Sequence, residues 1–257
     1  VSARTLIVVP THDEADNIVR LLDQLDAHAP EADVLVIDDA STDATRPLVR
    51  ERLSAGSDHL RLIERPDKRG LGDAYREAFR VGIADGYDLL VQIDADLSHD
   101  PAALPLMLAV AEQGIPVVIG SRYIPGGTVT GWPRRRTWLS RWANRYVAVM
   151  LGLAVNDATA GYRVYRTEAL EVIGLDDLEA SGYGYQVEMT YRAVRAGLAV
   201  VEIPIAFRDR VAGRSKMDRR VVVEAFRLVT AWGVHDLVSL RRRRRAYRTP
   251  DTPTDTR

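Results

Sequence analysis

The 257-residue chain has no cysteine. That excludes a disulfide scaffold, a thiolate nucleophile, a cysteine zinc site and an iron–sulfur cluster. Lysine is nearly absent as well: Lys68 and Lys216 are the only two, so arginine carries the positive charge. No apolar run approaches the ~18 residues a membrane-crossing helix needs. The apolar stretch before Pro10 is too short for a signal peptide, and the expected compartment is the cytoplasm. There is no Gly-x-x-x-x-Gly-Lys-Ser/Thr loop, no Gly-x-Ser-x-Gly elbow and no His-x-x-x-His zinc pair. Gly70-Leu71-Gly72 lacks the third glycine of a dinucleotide fingerprint, because Tyr75 stands there.

What is present describes an ordinary globular protein, with 46% hydrophobic and 28% charged residues. The net charge of −1 conceals a segregation. Residues 1–120 hold 11 basic and 22 acidic side chains, whereas residues 121–257 hold 24 basic and 14 acidic. One half is suited to holding cations, the other to meeting anions such as phosphates or a membrane.

Residues 1–120 alternate short apolar runs with amphipathic stretches. Strands are expected at 5–9, 34–37, 60–64, 89–93 and 116–119. Helices are expected at 14–28, 42–53, 71–83 and 101–112. This alternation predicts a mostly parallel sheet with helices on both faces. Ligands of such sheets bind at the carboxyl ends of the strands. The second half is less regular: a glycine-rich loop at 126–133, helices at 137–151 and 185–196, a strand at 200–207, and a last helix from 219 to 240 that ends in Arg241 to Arg245. Residues 249–257 have the composition of a disordered tail.

Carboxylates gather where the sheet places its ligand. Asp38 and Asp39 follow the second strand, Asp94-Ala95-Asp96 follows the fourth, and Glu14 lies just past the first. Clustered acids raise one another's pKa, and a hard divalent cation such as Mg²⁺ or Mn²⁺ relieves the repulsion. The alternative role for such acids is helix capping, which Asp100 before Pro101 and Asp43 fit well. His12 is a candidate ligand contact, and the role of His99 is open.

The motifs, taken together and in order, carry a family resemblance. They are Pro10-Thr11-His12-Asp13-Glu14, Asp38-Asp39-Ala40-Ser41, Lys68-Arg69-Gly70-Leu71-Gly72, Asp94-Ala95-Asp96-Leu97-Ser98-His99 and Gly120-Ser121-Arg122-Tyr123. There follow Asp157 to Arg163, Gly182 to Glu188, Asp209-Arg210 and Gly213-Arg214-Ser215-Lys216. The chain resembles the polyprenol- or dolichol-phosphate mannose synthases, inverting GT-A glycosyltransferases of family 2, over roughly residues 5–220. His12 and Asp13 replace a Tyr-Asn pair usual in the family, and Ser98 stands where some relatives supply a glutamine to the metal.

The resemblance implies that residues 1–218 form the GT-A domain, with a nucleotide-sugar and metal half at 1–120 and an acceptor half at 121–218. Residues 219–248 would be an amphipathic helix with an arginine-rich segment. Pro10, His12, Glu14, Asp38, Asp39, Gly70, Asp94, Ala95, Asp96, Arg210, Ser215 and Lys216 are implied donor contacts. Asp94, Asp96 and Ser98 are implied metal ligands, with Asp96 and Arg122 catalytic. Arg122, Arg136 and Ser140 are the implied acceptor-phosphate site. The implied reaction moves mannose from GDP-mannose to a polyprenyl phosphate with inversion, using Mg²⁺ or Mn²⁺. A UDP-glucose donor, a nucleotidyltransferase reaction and an arginine-driven nucleic-acid module are the competing readings. The acidic half argues against nucleic acid as a partner.

By resemblance the protein works beside a membrane N-acyltransferase-like partner. Trp132, Trp138, Trp142 and Trp232, with Arg241 to Arg245, suggest a peripheral position on the anionic inner face of the cell membrane.

Overall fold

The computed structural model describes residues 3–180, 182, 184–209 and 219–246; within the last segment, side chains are described only at 223, 225–238. Arg210, Ser215 and Lys216 therefore lie outside the described residues, as do the side chains of Arg241 to Arg245.

Chain order runs β1 (Thr5–Thr11), α1 (Ile18–His28), β2 (Asp33–Asp38), α2 (Thr45–Ser54), β3 (Leu60–Glu64), α3 (Leu71–Ala84) and β4 (Leu89–Gln92). A short 3₁₀ turn leads into α4 (Leu104–Glu112), followed by β5 (Val117–Ser121), β6 (Thr128–Thr130) and α5 (Arg134–Leu151). Then come β7 (Arg163–Arg166), α6 (Thr167–Ile173), α7 (Gly184–Arg195), β8 (Val200–Pro204), β9 (Ala206–Arg208) and α8 (Arg219–Ala246). Seven strands form one sheet in the order β3-β2-β1-β4-β7-β5-β8, and β6 pairs with β9 separately. Every pairing in the large sheet is parallel except those of β7 with β4 and β5.

The expected alternation is present because β1, β2 and β4 are apolar on both faces. In β1, Leu6 and Val8 enter one core while Ile7 and Val9 enter the other. Helix α1 buries Ile18, Leu21, Leu22 and Leu25, a single helical stripe. It shares its face of the sheet with Val49 of α2 and with Leu104, Met107 and Ala111 of α4. The opposite face receives Tyr75 and Phe79 of α3, Val147 and Leu151 of α5, and parts of α6, α7 and α8.

Five expectations need correction. Helices α1 and α2 start three to four residues later than periodicity suggested, since residues 12–17 and 39–44 are loops tied to each other. Strand β7 and helix α6 were not anticipated. The expected strand at 200–207 breaks into β8 and β9, and the glycine-rich loop contains β6. Helix α8 continues through the arginine run to Ala246; arginine is a good helix former, and cations are favoured at a helix C-terminus.

Candidate active site

The strand order reverses between β1 and β4, so the loops after these strands and after β2 border one crevice. Each of the three loops holds a non-glycine residue in the left-handed region: Asp13 (φ 54°), Ala40 (φ 61°) and Leu97 (φ 59°). Such backbone is uncommon and gathers at functional sites. The first two loops brace one another. Asp13 accepts from the Thr42 N–H at 2.8 Å, and Asp43 accepts from the Ala15 N–H at 3.0 Å. The Thr42 bond, aided by nearby His12 and opposed by partial burial, holds the Asp13 carboxyl below its usual pKa.

The adjacent acids after β2 have different fates. Asp38 has no exposed surface and accepts from the Thr11 hydroxyl (3.0 Å), the Ser41 N–H (2.9 Å) and the Arg46 guanidinium. A carboxylate enclosed in this way braces the turn that follows β2. Asp39 accepts from Arg65 Nη1 at 2.9 Å and from the N–H groups of Arg69 (2.9 Å) and Gly70 (2.8 Å). It thereby folds the 65–70 loop over the crevice. Gly70 takes φ 98° there, a conformation that favours glycine. His12 joins the same edge, its Nδ1 lying 2.9 Å from the Asp39 carbonyl oxygen. Glu14 accepts from Asn17 Nδ2 at 2.9 Å, while Pro10 is buried in β1 and Ala95 is buried in the turn after β4.

Asp94 and Asp96 leave the end of β4. Asp94 is partly exposed and accepts from the Tyr75 hydroxyl at 3.2 Å; burial, with the Asp94 charge beside it, pushes the Tyr75 pKa well up, so the phenol stays a donor. Asp96 accepts from the Ser98 N–H at 3.0 Å. Gly161 passes so close that an added Cβ would lie 2.9 Å from Asp94 Oδ2. Among the described residues no three His, Cys, Asp or Glu side chains converge as a metal site. Two carboxylates two residues apart, one of them against the side-chain-free Gly161, are oxygen donors of the kind a hard cation takes. His99 is buried between the Tyr162 and Phe207 rings, at 5.5 and 5.3 Å, with Nδ1 3.9 Å from Asp94 Oδ2. Burial lowers its pKa to about 4, so it stands there as neutral imidazole.

Beyond β5 lies a cationic corner. Arg122 is 7% exposed and grips Asp157, which is fully buried, through Nε (2.7 Å) and Nη2 (2.6 Å). Burial opposes the guanidinium's charge, but the Asp157 bonds outweigh it and hold the Arg122 pKa above the usual value. The indole of Trp132 lies 5.7 Å from the Arg122 guanidinium and 4.1 Å from that of Arg136. Arg136 also meets Asp209 at 3.3 Å, and Ser140 accepts from the Tyr123 hydroxyl at 2.7 Å. Arg122, Arg136 and Ser140 are thus gathered around Trp132 and Tyr123. Sequence reasoning gave no role to Asp157, Trp132, Tyr75 or Gly161 in this site; for Asp157 and Gly161 the signal was their place in a quoted motif.

A sequence model described as "Glycosyl transferase family 2" matches residues 6–174. The chain is 42% identical to polyprenol monophosphomannose synthase of Mycolicibacterium smegmatis, covering 90% of this chain and 87% of the relative. It is 45% identical to undecaprenyl-phosphate mannosyltransferase of Micrococcus luteus, covering 90% and 94%. Among solved structures, glucosyl-3-phosphoglycerate synthase of Mycobacterium tuberculosis, crystallised with Mn²⁺, UDP-glucose and phosphoglyceric acid, shares the fold. Its TM-score is 0.64 at 22% identity, over 88% of this chain and 80% of that one. The expected α/β GT-A architecture is the one found.

Proposed function

Because the chain belongs to glycosyl transferase family 2, we propose that it transfers mannose from GDP-mannose to a polyprenyl or dolichyl monophosphate, releasing GDP and leaving the mannose β-linked. The observation that carries this reading is the similarity, over 90% of the chain, to two enzymes named for mannosyl transfer onto polyprenol carriers. The crevice between a strand-end acid pair and a cationic corner supports it.

The acceptor is itself the nucleophile. A phosphate monoester with a second pKa of about 6 is mostly dianionic at neutral pH, so the protein has no proton to remove. Its task is to hold two anionic substrates in line. His12, Glu14, Asp39 and the 65–70 loop border the space for the nucleoside, with Arg210, Ser215 and Lys216 reserved for the donor phosphates. Asp94 and Asp96, with Ser98, would hold Mg²⁺ or Mn²⁺, which when bound supplies Lewis-acid neutralisation of the departing diphosphate. Arg136 and Ser140 receive the acceptor phosphate, and Arg122 adds planar donors fixed by Asp157.

The protein is proposed to work on the cytoplasmic face of the membrane. No helix among the described residues is long and apolar enough to cross it. Trp138 (66% exposed), Leu139, Trp142 and Val149 of α5 are exposed, as are Val223, Phe226, Val234, Leu237 and Val238 of α8. Trp132 and Trp232 do not join this face: the first donates to Asp209 and the second stacks on Tyr191.

The test is incubation with polyprenyl phosphate, Mg²⁺ or Mn²⁺, and a panel of nucleotide sugars that includes UDP-glucose, followed by identification of the lipid product. β-Mannosyl phospholipid formed from GDP-mannose alone is expected; a glucosylated product, or pyrophosphate release, overturns the assignment.

A further inference from the structure

Helix α5 carries a second cationic feature that the reaction does not use. A cleft of about 340 Å³ opens beside it, lined by Tyr123, Arg141, Asn144, Arg145, Leu153 and Val155 among others. Arg141 and Arg145 are one turn apart on one stripe. Neither forms an ion pair with any described residue, and α5 contains no acid. Glu202, an acid bonded to the cleft-lining Asn156, is occupied: it accepts from the Asn156 and Asp157 N–H groups at 2.9 Å each. Arg141 instead lies over the Tyr123 ring at 5.4 Å. The cleft therefore offers two uncompensated guanidinium groups above an apolar floor made by Leu153 and Val155.

Position on the helix adds a direction. With about 100° per residue, the stripe of Arg141 and Arg145 falls between the stripe of Ser140 and Asn144, which faces the site, and the stripe of Trp138, Trp142 and Val149, which is exposed. When the exposed apolar stripe enters a bilayer surface, the adjacent arginines come to headgroup depth, as long cationic side chains at an interface do. Guanidinium groups bind phosphate oxygens in a planar, two-pronged manner. We propose that this cleft binds the headgroup phosphate of an anionic membrane phospholipid, and that the bound lipid fixes the tilt at which the acceptor corner meets the membrane. The proposal rests on the peripheral-membrane reading above and goes beyond it by naming the site and its ligand class.

The test uses the full chain and a soluble lipid, so that adhesion by the apolar face does not enter. Dihexanoyl phosphatidylglycerol is titrated calorimetrically below its micellar concentration, with dihexanoyl phosphatidylcholine, inorganic phosphate and farnesyl monophosphate as comparison ligands. Saturable binding of the glycerol lipid is expected, weakened about 10- to 30-fold in R141Q/R145Q, the loss that follows from two surface arginines. Thermal unfolding and mannosyl transfer to farnesyl monophosphate should be unchanged in that variant. Equal binding by wild type and variant overturns the proposal, as does equal affinity for the choline lipid. One-for-one displacement by farnesyl monophosphate also overturns it, because the cleft then belongs to the acceptor. Affinity for inorganic phosphate equal to that for the lipid removes the apolar floor from the site and overturns the lipid assignment. Absence of mannosyl transfer in both proteins, with lipid binding intact, refutes the proposed reaction and leaves the cleft as inferred.

Discussion

Replacing Asp157 by asparagine tests how the proposed acceptor corner is held. Asp157 receives four donors: the N–H and Nε of Arg122 on one oxygen, and Arg122 Nη2 and the Thr159 hydroxyl on the other. Asparagine has one acceptor oxygen, so its NH₂ group must face N–H donors, and the buried Arg122 loses its counter-charge. Breaking a buried ion pair on one side costs about 3–5 kcal/mol. For a chain of this size each kcal/mol shifts Tm by about 2–4 °C, so D157N should melt roughly 6–20 °C below wild type. The loss spreads, because Thr159 also accepts from Asn144 Nδ2 of α5 at 2.9 Å. Turnover should fall by more than ~10-fold while nucleotide affinity holds, since the donor loops lie across the crevice. Thermal unfolding by circular dichroism, with nucleotide binding by calorimetry, reads both effects. The apolar pair R122M/D157L separates stability from chemistry: it should regain much of the lost Tm without regaining turnover. A D157N protein that melts within ~2 °C of wild type, or an R122M/D157L protein with normal turnover, would refute the reasoning.

Other outcomes follow from the same geometry. D96N should abolish transfer and metal-dependent GDP binding while Tm holds or rises, because one charge leaves an acid pair; full activity in the folded variant sinks the metal assignment. G161A places a methyl 2.9 Å from Asp94 Oδ2 and should lower turnover by about tenfold or more through a displaced carboxylate, with Mn²⁺ titration of activity as the readout; an unaltered metal dependence would remove Gly161 from the site. Asp13 has a folded pKa below its model-peptide 3.8, so its stabilising share is present above that value and lost as pH falls through the folded pKa. D13N keeps an acceptor oxygen and tolerates the left-handed backbone, so acid unfolding followed by circular dichroism should show a shallower loss of stability below about pH 4 than wild type; identical acid profiles would dismiss the Thr42 bond as a source of the shift.

Much of the fold is legible because a buried parallel strand has to be apolar on both faces. Thr5 to Val9 and Val34 to Ile37 announce themselves for that reason. Strand β7 does not, although it lies between β4 and β5. It is four residues long and begins and ends on arginine, so it looks polar. Arg163 is nonetheless fully buried, satisfied by the carbonyls of Ala160 (2.8 Å) and Ala158 (2.7 Å) and by the Tyr165 hydroxyl (3.1 Å). A cation neutralised by backbone dipoles leaves no mark in a hydropathy pattern.

The site divides along the same line. That acids cluster at strand ends is readable from position alone, but neighbouring residues on a strand end point to opposite sides. Only the fold tells that Asp38 turns inward to Arg46 while Asp39 turns toward Arg65 and Gly70. Long-range pairing is harder still. Arg122 and Asp157 are 35 residues apart, and a sequence offers an arginine at a strand end without its counter-charge. The pairing changes what Arg122 does. In the proposed acceptor role, an exposed arginine would attract phosphate by net charge, whereas one bound to Asp157 is locally neutral and would act by direction. On that proposal net attraction falls to Arg136, whose partner Asp209 is 36% exposed at the side chain and 3.3 Å away, a pairing that solvent screens and that a phosphate would compete with.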